Sequence, residues 1–238
     1  MSAPGRARVA MITGAGRGIG RATAAAFAAE GYAVVIAEVR PGLGRRAERA
    51  LRKGGAVARF IPTDVARPAS VARAVRATLR RFGRLDCLVN NAGVIEVGPL
   101  AKCPVARLDR LVAVNLRGPL LAARAALPAM LAEGTGAIVN VASQLGKRGA
   151  GGYVIYCATK FGVVGLTEAL ADELAGTGVR VWAVCPGLVD TQMATHVVGR
   201  SARARAGLVR PESVARVIVE LATGRRKAAS GAAVDVVH

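Results

Sequence analysis

The sequence is poor in the residues on which several classes of site depend. Its 238 residues include two histidines and four cysteines, and no two cysteines have the CxxC spacing that is typical of zinc sites. We therefore predict no metal site, and reduced thiols with a structural role. Aromatic residues make up 3% of the chain, which leaves few platforms on which single-stranded bases would stack.

Acidic residues are also scarce, since 15 Asp and Glu stand against 34 Lys and Arg and give a formal net charge of +19. Such a balance is typical of proteins that bind nucleic acid. Most of the positive charge is arginine spread along the whole chain, and its densest cluster, at 73–84, has the helical spacing of a solvated face. A nucleic-acid binder therefore has net charge alone in its favour, and we predict no nucleic-acid partner.

Long uncharged apolar runs are missing as well. No stretch approaches the roughly 20 residues that a membrane-spanning helix requires, and the first predicted strand begins at residue 8, which leaves no room for a signal peptide. We expect a cytoplasmic protein without a membrane partner. Hydrophobic residues make up 53% of the chain, which supports a packed core and excludes intrinsic disorder.

Short apolar runs rich in β-branched residues alternate with longer alanine-rich segments of helical period, the pattern of βαβ units. The predicted strands are 8–13, 33–38, 57–61, 85–90, 137–141, 179–185 and 232–237. The predicted helices are 18–30, 43–53, 70–81, 105–130, 153–174 and 212–222. This order predicts an α/β protein with a Rossmann-like, doubly wound fold, in which helices cover both faces of a seven-stranded parallel sheet.

No repeat or linker divides the chain, so we predict a single dinucleotide-binding catalytic domain over 1–238. The irregular stretch 193–210 follows the sixth strand. Ligands of open α/β sheets bind beyond the carboxyl ends of the strands, so this stretch is placed to form a substrate lid. An ordinary surface loop would explain it equally well.

A glycine-rich turn follows the first strand directly and opens a helix. It runs from Thr13 to Gly20 with the spacing G-x-x-x-G-x-G over Gly14, Gly18 and Gly20, which differs from the G-x-G-x-x-G fingerprint. Glycines at such a turn let the backbone approach a pyrophosphate, and the helix N-terminus attracts its negative charge. A lone turn of this kind is also explained by tight packing of the helix on the sheet.

Glu38 ends the second predicted strand, where an acidic residue can hydrogen-bond an adenosine ribose diol. A 2′-phosphate at this carboxylate would be repelled by up to ~4 kcal/mol per charge pair at ~4 Å and an effective dielectric near 20. The residue therefore favours NAD over NADP, although Arg17 and Arg40 could offset the repulsion. Without the glycine turn, Glu38 would be interpreted as an exposed acid at a strand end.

Tyr156 and Lys160 lie four residues apart in a helical segment, so both side chains project from one face. A nearby ammonium and a cationic nicotinamide favour a phenolate, and a drop of ~3 pKa units requires ~4 kcal/mol. Ser143, at the end of the fifth strand, can reach the same crevice and hydrogen-bond a substrate oxygen. Tyr153 is less suited to proton transfer, since a cysteine stands four residues after it.

From residue 8 to residue 237 the chain resembles the classical short-chain dehydrogenase/reductase family, because separated motifs match in order. The turn Thr13–Gly20 resembles the family's cofactor turn, and Asn115, Ser143, Tyr156 and Lys160 match its catalytic positions. The other matches are Asp64-Val65 after the third strand, Asn90-Asn91-Ala92-Gly93 after the fourth, and Pro186-Gly187-Leu188-Val189-Asp190-Thr191 after the sixth.

The resemblance implies a role for each matched position. Tyr156 would be the general base of alcohol oxidation and the general acid of ketone reduction, Lys160 would lower its pKa and bind the nicotinamide ribose, and Asn115 would hold a relay water. Ser143 would polarise the substrate oxygen. The implied cofactor contacts are Gly14, Arg17, Gly18, Ile19, Gly20, Glu38, Asp64, Val65, Asn91, Ala92, Gly93, Tyr156, Lys160, Pro186, Gly187, Val189 and Thr191.

We therefore predict an oxidoreductase that interconverts a secondary alcohol and a ketone by hydride transfer, with NAD preferred and NADP possible. The candidate substrate contacts are Gln144, Tyr153, Met193 and His196. An alcohol, diol or other hydroxy compound is the first substrate class, a 3-oxoacyl group on acyl-carrier protein the second, and a non-catalytic dinucleotide-binding module the interpretation outside the class. The resemblance also implies a homo-oligomer, a tetramer or a dimer, built on helices 105–130 and 153–174.

Overall fold

The structure is a computed structural model that describes residues 7–198 and 207–237. Its centre is a seven-stranded, fully parallel sheet in the order β3-β2-β1-β4-β5-β6-β7. The strands are β1 Val9–Thr13, β2 Ala33–Glu38, β3 Ala58–Pro62, β4 Cys87–Asn90, β5 Gly136–Val141, β6 Val179–Pro186 and β7 Ala233–Val236. The predicted Rossmann-like fold class is confirmed, and each strand differs from its predicted bounds by no more than two residues at either end.

Helices connect successive strands and cover both faces of the sheet. They are α1 Gly18–Ala29, α2 Pro41–Lys53, α3 Pro68–Phe82, α4 Val105–Val112, α5 Gly118–Ala132, α6 Val154–Glu173, α7 Thr195–Val198 and α8 Pro211–Ala222. Short 3-10 turns form at Leu100–Lys102 and Gln144–Gly146.

The two faces of the sheet bury two separate apolar clusters, as the alternation of side chains along a strand requires. In β1, Ala10 and Ile12 pack into one cluster with residues of α1 and α8. Val9 and Met11 point the other way, into a cluster formed with α3, α5 and α6. All five residues of β1 are buried, so the strand that carries the glycine turn at its end lies on a rigid base.

The predicted helix 105–130 is helical over its whole length, but a π-helical turn that the sequence did not predict interrupts its α-helical hydrogen-bond pattern. The structure divides it into α4, a π-helical turn at Ala113–Arg117, and α5. Pro119 explains part of the break, because it stands four residues after Asn115 and has no N–H to donate to the Asn115 carbonyl in the α-helical pattern. A hydrogen bond from Gly118 N to Ala113 O closes the wider turn.

Helix α6 is the longest helix among the described residues, and it is apolar overall although Lys160 and Glu168 interrupt it. With a mean hydropathy of 1.4 over its apolar window, Val154–Glu173 is long and apolar enough to cross a membrane by length and composition alone. In this fold it packs against β6 and the π-helical turn. It also carries the buried Lys160 near its start.

The predicted lid is held together at its base. A parallel bridge pairs Val189 with Val209, through hydrogen bonds from Asp190 N to Val209 O and from Val209 N to Leu188 O. Helix α7, which the sequence analysis did not predict, begins the segment. Residues 199–206 of the predicted lid lie outside the described residues, so the lid remains a prediction.

Candidate active site

The glycine turn lies at the carboxyl end of β1 with Gly14 and Gly18 in the left-handed region, at φ of +64° and +53°. A Cβ atom on Gly20 would overlap the Gly14 carbonyl oxygen and lie 2.5 Å from Asn91 Nδ2. Side chains are therefore excluded by backbone geometry at two positions and by space at the third. Ile19, between them, packs against the cluster of α1 and α8.

No side chain caps the first turn of α1, and that turn carries no acidic residue. Its N–H groups are therefore available to an anion, and the partial positive charge of the helix end is not neutralised locally. Arg17, the residue just before the helix, is partly buried. Together with the glycine cradle, these features fit the diphosphate of a dinucleotide.

Thr13 links the turn to the loop after β4, and the predicted list of site residues did not include it. Its Oγ1 accepts hydrogen bonds from the backbone N–H of Asn91 and of Ala92, each at 3.0 Å. The Asn91 side-chain amide donates to the carbonyls of Thr13 and Gly14 at 2.8 and 3.2 Å. Asn91 and Ala92 thus support the turn directly. Gly93 lies beside the Asn115 side chain, since a Cβ atom on Gly93 would be 3.5 Å from Asn115 Oδ1.

Glu38 lies at the end of β2 against the glycine turn, and is 3% exposed. One carboxylate oxygen accepts a hydrogen bond from Gly16 N at 3.1 Å. The other accepts from Arg40 N at 3.1 Å and pairs with Arg40 Nε at 3.5 Å. Burial, followed by the Arg40 charge, lowers the pKa of Arg17, while Glu38 acts in the opposite direction. One acid and two arginines therefore share this end of the crevice.

The pair Asp64-Val65 follows β3. Asp64 Oδ1 accepts a hydrogen bond from Ala66 N at 3.0 Å, and Oδ2 pairs with Arg67 at 3.3 Å. Val65 is buried against Gly118, at the start of α5. The carboxylate is thus held by the backbone and side chain of the residues that follow it, and its contact with a cofactor remains a prediction.

The structure brings Ser143, Tyr156 and Lys160 together beyond the end of β5. Ser143 Oγ accepts a hydrogen bond from Leu145 N at 3.1 Å and so caps the turn Gln144–Gly146. The Ser143 side chain also lies close enough to the Tyr156 hydroxyl to lower the pKa of Tyr156. Lys160 lies 5.6 Å from the centre of the Tyr156 ring and donates from Nζ to the Val141 carbonyl at 2.7 Å. All three side chains are buried.

Burial dominates the titration of this group. It raises the pKa of Tyr156 to about 12, a rise that the nearby Ser143 side chain opposes. Burial also lowers the pKa of Lys160 to about 8. In the protein by itself, the Tyr156 pKa is raised rather than lowered as predicted, because desolvation of the phenolate outweighs the effect of the neighbouring groups.

Asn115 lies in the π-helical turn, 1% exposed. Its side chain binds the backbone of Val94 at both ends, with Oδ1 accepting from Val94 N and Nδ2 donating to Val94 O, each at 2.8 Å. Nδ2 also donates to Thr159 Oγ1 at 3.3 Å. Asn115 therefore ties the loop after β4 to helix α6, a connection that the sequence did not predict.

The loop after β6 reaches over the glycine turn. Pro186 ends β6, and Gly187 N donates to Val236 O in the neighbouring strand. Val189 is buried in the pairing at the lid base. Thr191 packs over the start of α1, since a Cβ on Gly18 would lie 3.1 Å from Thr191 Cγ2. The loop after β6 and the glycine turn therefore form two walls of one crevice.

The candidate substrate contacts are placed less uniformly. The Gln144 side chain lies against Gly187, since a Cβ atom on Gly187 would be 3.4 Å from Gln144 Oε1. Tyr153 directly precedes α6, and Met193 is partly buried in the loop that leads to α7. His196 belongs to α7, but its side chain lies outside the described residues. These four residues remain predicted substrate contacts.

Among the described residues, one pocket lies near the start of α6 and another lies away from the site. A pocket of about 150 Å³ is lined by Val97, Leu100, Val154 and Ile155 together with Glu96 and Lys102. It adjoins the start of α6, where Val154 and Ile155 precede Tyr156 in the chain. A larger and more open pocket, of about 670 Å³, lies at the opposite edge of the sheet, near the start of β6. Among the described residues, no group of three or more His, Cys, Asp or Glu side chains forms a metal site.

Comparison with known proteins agrees with this arrangement. The chain is 42% identical over 239 aligned residues to the cis-4-hydroxycyclohexanecarboxylate dehydrogenase of Sinomonas cyclohexanicum, covering 96% of this chain and 94% of the relative. The 3-ketoacyl-(acyl-carrier-protein) reductase of Brucella melitensis, solved with NADH, superimposes with a TM-score of 0.89, at 33% identity and 97% coverage of both chains. A variant of the actinorhodin polyketide ketoreductase, solved with NADPH, superimposes with a TM-score of 0.91, at 34% identity, over 97% of this chain and 96% of that one.

The sequence model of the short chain dehydrogenases matches residues 8–201, which include the glycine turn, Asn115, Ser143, Tyr156 and Lys160. The predicted resemblance is thereby confirmed. This protein belongs to the short-chain dehydrogenase family and is an NAD(P)-dependent oxidoreductase that acts on CH–OH groups.

Proposed function

We propose that the protein interconverts a secondary alcohol and its ketone with NAD(H) as the preferred cofactor, and that its substrate is a small hydroxy compound. The observation that carries this proposal is the meeting of Ser143, Tyr156 and Lys160 in the crevice whose other wall is the glycine turn. A bound nicotinamide would supply the carbon that exchanges a hydride with the substrate.

Tyr156 handles the proton in this proposal. Its pKa of about 12 keeps the hydroxyl protonated at neutral pH, so it is ready to donate to the oxygen of a ketone. Alcohol oxidation needs the phenolate, which positive charge must stabilise in the ternary complex. Lys160 provides one such charge, since its pKa of about 8 leaves it mostly protonated at neutral pH. In this proposal the same ammonium group also binds the nicotinamide ribose.

Ser143 and Asn115 support this proton transfer. The Ser143 side chain lies near enough to the Tyr156 hydroxyl to lower its pKa, so a substrate oxygen between the two would receive hydrogen bonds as charge develops on it. The Asn115 side chain is occupied by Val94 and Thr159. We therefore assign the relay water to the Asn115 backbone carbonyl, whose α-helical partner position is taken by Pro119.

The preference for NAD(H) rests on Glu38. The buried carboxylate accepts a hydrogen bond from Gly16 N in the glycine turn, and in this proposal the adenosine ribose binds beside it. A 2′-phosphate there would face a negative charge in a poorly hydrated site. Arg40 pairs with Glu38, which softens the repulsion and leaves NADP as a weaker cofactor.

The substrate class has two candidates. The pocket beside α6 has apolar walls at Val97, Leu100 and Val154, and a dehydrogenase of a hydroxylated ring acid is among the relatives, so a hydroxy compound with an apolar body is the first. The net charge of +19 suits an acidic carrier, and a ketoacyl-carrier-protein reductase is among the structural relatives. A 3-oxoacyl thioester is therefore the second.

The test is a panel of secondary alcohols, cyclic hydroxy acids, ketones and a 3-oxoacyl thioester, each assayed with NAD(H) and NADP(H) by absorbance of the reduced nicotinamide. We expect turnover with hydroxy compounds and a higher kcat/KM with NAD. Preferential reduction of the thioester with NADPH would favour the second candidate. Tight binding of NADH without turnover of any substrate would leave a dinucleotide-binding module.

We further propose that the protein works in the cytoplasm as a homo-oligomer, a tetramer or a dimer, without a membrane or nucleic-acid partner. Large apolar side chains on α5 and α6, such as Leu120 and Phe161, are each 45% exposed. Burial of such side chains against a second copy would remove apolar surface from water.

A further inference from the structure

Thr159 lies on α6 between Tyr156 and Lys160, and the mechanism above gives it no role. Its side chain is 2% exposed. Its hydroxyl donates a hydrogen bond to the Tyr156 carbonyl at 2.8 Å and lies 3.3 Å from Asn115 Nδ2, from which it accepts. One hydroxyl group thus connects the backbone of the proton-transfer residue to the π-helical turn.

Asn115 is itself fixed on its other side. Its two hydrogen bonds to Val94 hold it to the loop that begins with Asn91 and Ala92, and that loop is tied to the glycine turn through Thr13. A continuous polar chain therefore runs from the nucleotide turn through Asn115 and Thr159 to the backbone of Tyr156. Loss of one of these partners would leave a buried amide unsatisfied, which destabilises the fold, so these bonds favour one position of α6 against the turn.

We propose that Thr159 is a positioning residue for proton transfer, which holds the start of α6 in register with the nucleotide turn so that the Tyr156 hydroxyl meets the substrate oxygen. The inference rests on the proposed function. Thr159 acts through Tyr156 and Asn115, and it needs no contact with substrate or cofactor. Displacement of a reacting group by about 1 Å can cost on the order of 100-fold in rate, so a modest shift of this helix is enough to slow turnover.

Thr167 offers a matched control on the same helix. It is fully buried, its hydroxyl donates to the Val163 carbonyl at 2.7 Å, and it accepts from Asn140 Nδ2 at 2.9 Å. Its pattern of bonds therefore repeats that of Thr159, with an asparagine amide on one side and a helix carbonyl on the other. It lies two turns further along α6, away from Tyr156 and Lys160.

The test compares Thr159→Val, Thr159→Ser and Thr167→Val with the wild-type enzyme on the best substrate of the panel. Valine keeps the shape of threonine and removes the hydroxyl, so both valine variants should lower Tm by similar amounts. We expect Thr159→Val to lower kcat by about 10-fold, with KM for cofactor and substrate within about two-fold, and to raise the solvent deuterium isotope effect on kcat, which reports proton transfer. Thr159→Ser should restore kcat, and Thr167→Val should leave it within about two-fold of wild type.

Equal losses of kcat in Thr159→Val and Thr167→Val would overturn the inference, since they would mark a general effect of destabilisation. An unchanged kcat in Thr159→Val would overturn it too, and in both cases the proposed function would stand. A wild-type enzyme that turns over nothing in the panel would instead contradict the proposed function, and the role of Thr159 with it.

Discussion

Glu38 is bound through both of its carboxylate oxygens beside the glycine turn, where they accept hydrogen bonds from Gly16 N and from Arg40 N. The sequence predicted its position at a strand end and its repulsion of a 2′-phosphate. The bond to Gly16 N was not predictable, because it depends on how closely the turn folds back on β2. A Cβ on Gly16 would lie 2.7 Å from Glu38 Oε2, which makes this glycine a requirement of the acid's placement.

Glu38→Gln should shift cofactor preference toward NADP(H). The amide keeps an acceptor for Gly16 N and removes the negative charge, so Arg17 and Arg40 would face a 2′-phosphate without opposition. We expect the ratio of kcat/KM for NAD to that for NADP to fall by about 10-fold or more, given ~1–4 kcal/mol for a charge pair at ~4 Å. Glu30→Gln, which removes an acid that pairs with Arg225 on the surface, is the control, and an equal shift there would contradict the assignment.

Lys160 makes stability depend on pH in a defined window. Its pKa is about 8 in the folded protein, against 10.5 for an ordinary lysine. Between these values the unfolded chain holds the proton that the folded protein has lost, so the free energy of unfolding should rise with pH from about 8 to 10.5. Below about pH 8 both states are protonated, and the cost of the buried charge is constant.

The Lys160→Met variant should lack this rise of the free energy of unfolding with pH. Urea unfolding of the variant and the wild type at pH 8 and pH 10.5 would compare the two slopes, and the variant's stability should gain on the wild type as pH is lowered through the window. Parallel stability curves for the two proteins would show that the lysine titrates at its ordinary value.

At the scale of elements, the sequence predicted the order and type of strands and of the longer helices, because apolar alternation and helical period reflect burial directly. It did not predict the π-helical turn, since the helical period continues across 105–130. The turn is stabilised by bonds between Asn115 and Val94, residues 21 apart in the chain. Pro119, four residues after Asn115, is the local signal that could have indicated it.

Gly20 and Gly165 differ in why replacement by alanine should change stability: close packing decides at the first position, and helix propensity at the second. A Cβ on Gly20 would overlap the Gly14 carbonyl oxygen, whereas one on Gly165, within α6, would have no other atom within 4 Å. We expect Gly20→Ala to lower the free energy of unfolding by about 1–3 kcal/mol and to weaken NADH binding. Gly165→Ala should raise stability by about 0.5–1 kcal/mol.

Urea unfolding and titration of NADH fluorescence measure both quantities. A Gly20→Ala variant that binds NADH as tightly as the wild type would contradict the assignment of this turn to the diphosphate.

At the scale of the whole molecule, the charge pattern and the apolar surface lead to different conclusions. The net charge of +19 sits on arginines distributed among many elements, several of which pair with the few acids, as Arg84 does with Asp86 and Arg225 with Glu30. The exposed apolar side chains are more specific. Leu120 and Leu131 lie on α5 and Phe161 lies on α6, which the sequence-based resemblance named as interface helices.

Phe161→Asp should therefore dissociate the proposed oligomer, because a charge placed in an apolar interface loses its hydration. Size-exclusion chromatography with light scattering should give a dimer or tetramer for the wild type and a smaller species for the variant. Val57→Asp changes a side chain of similar exposure, 55% against 45%, just before β3, and should leave the assembly intact. A monomeric wild-type protein would contradict the proposed assembly.

The most direct test of the whole account is the turnover of Tyr156→Phe, which removes one oxygen atom from the proposed proton donor and acceptor. With NAD(H) and the best substrate of the panel, we expect kcat to fall by about 100- to 10,000-fold, while the affinity for NADH stays close to that of the wild type. A variant that retains wild-type turnover would show that another group moves the proton, and would contradict the account at its centre.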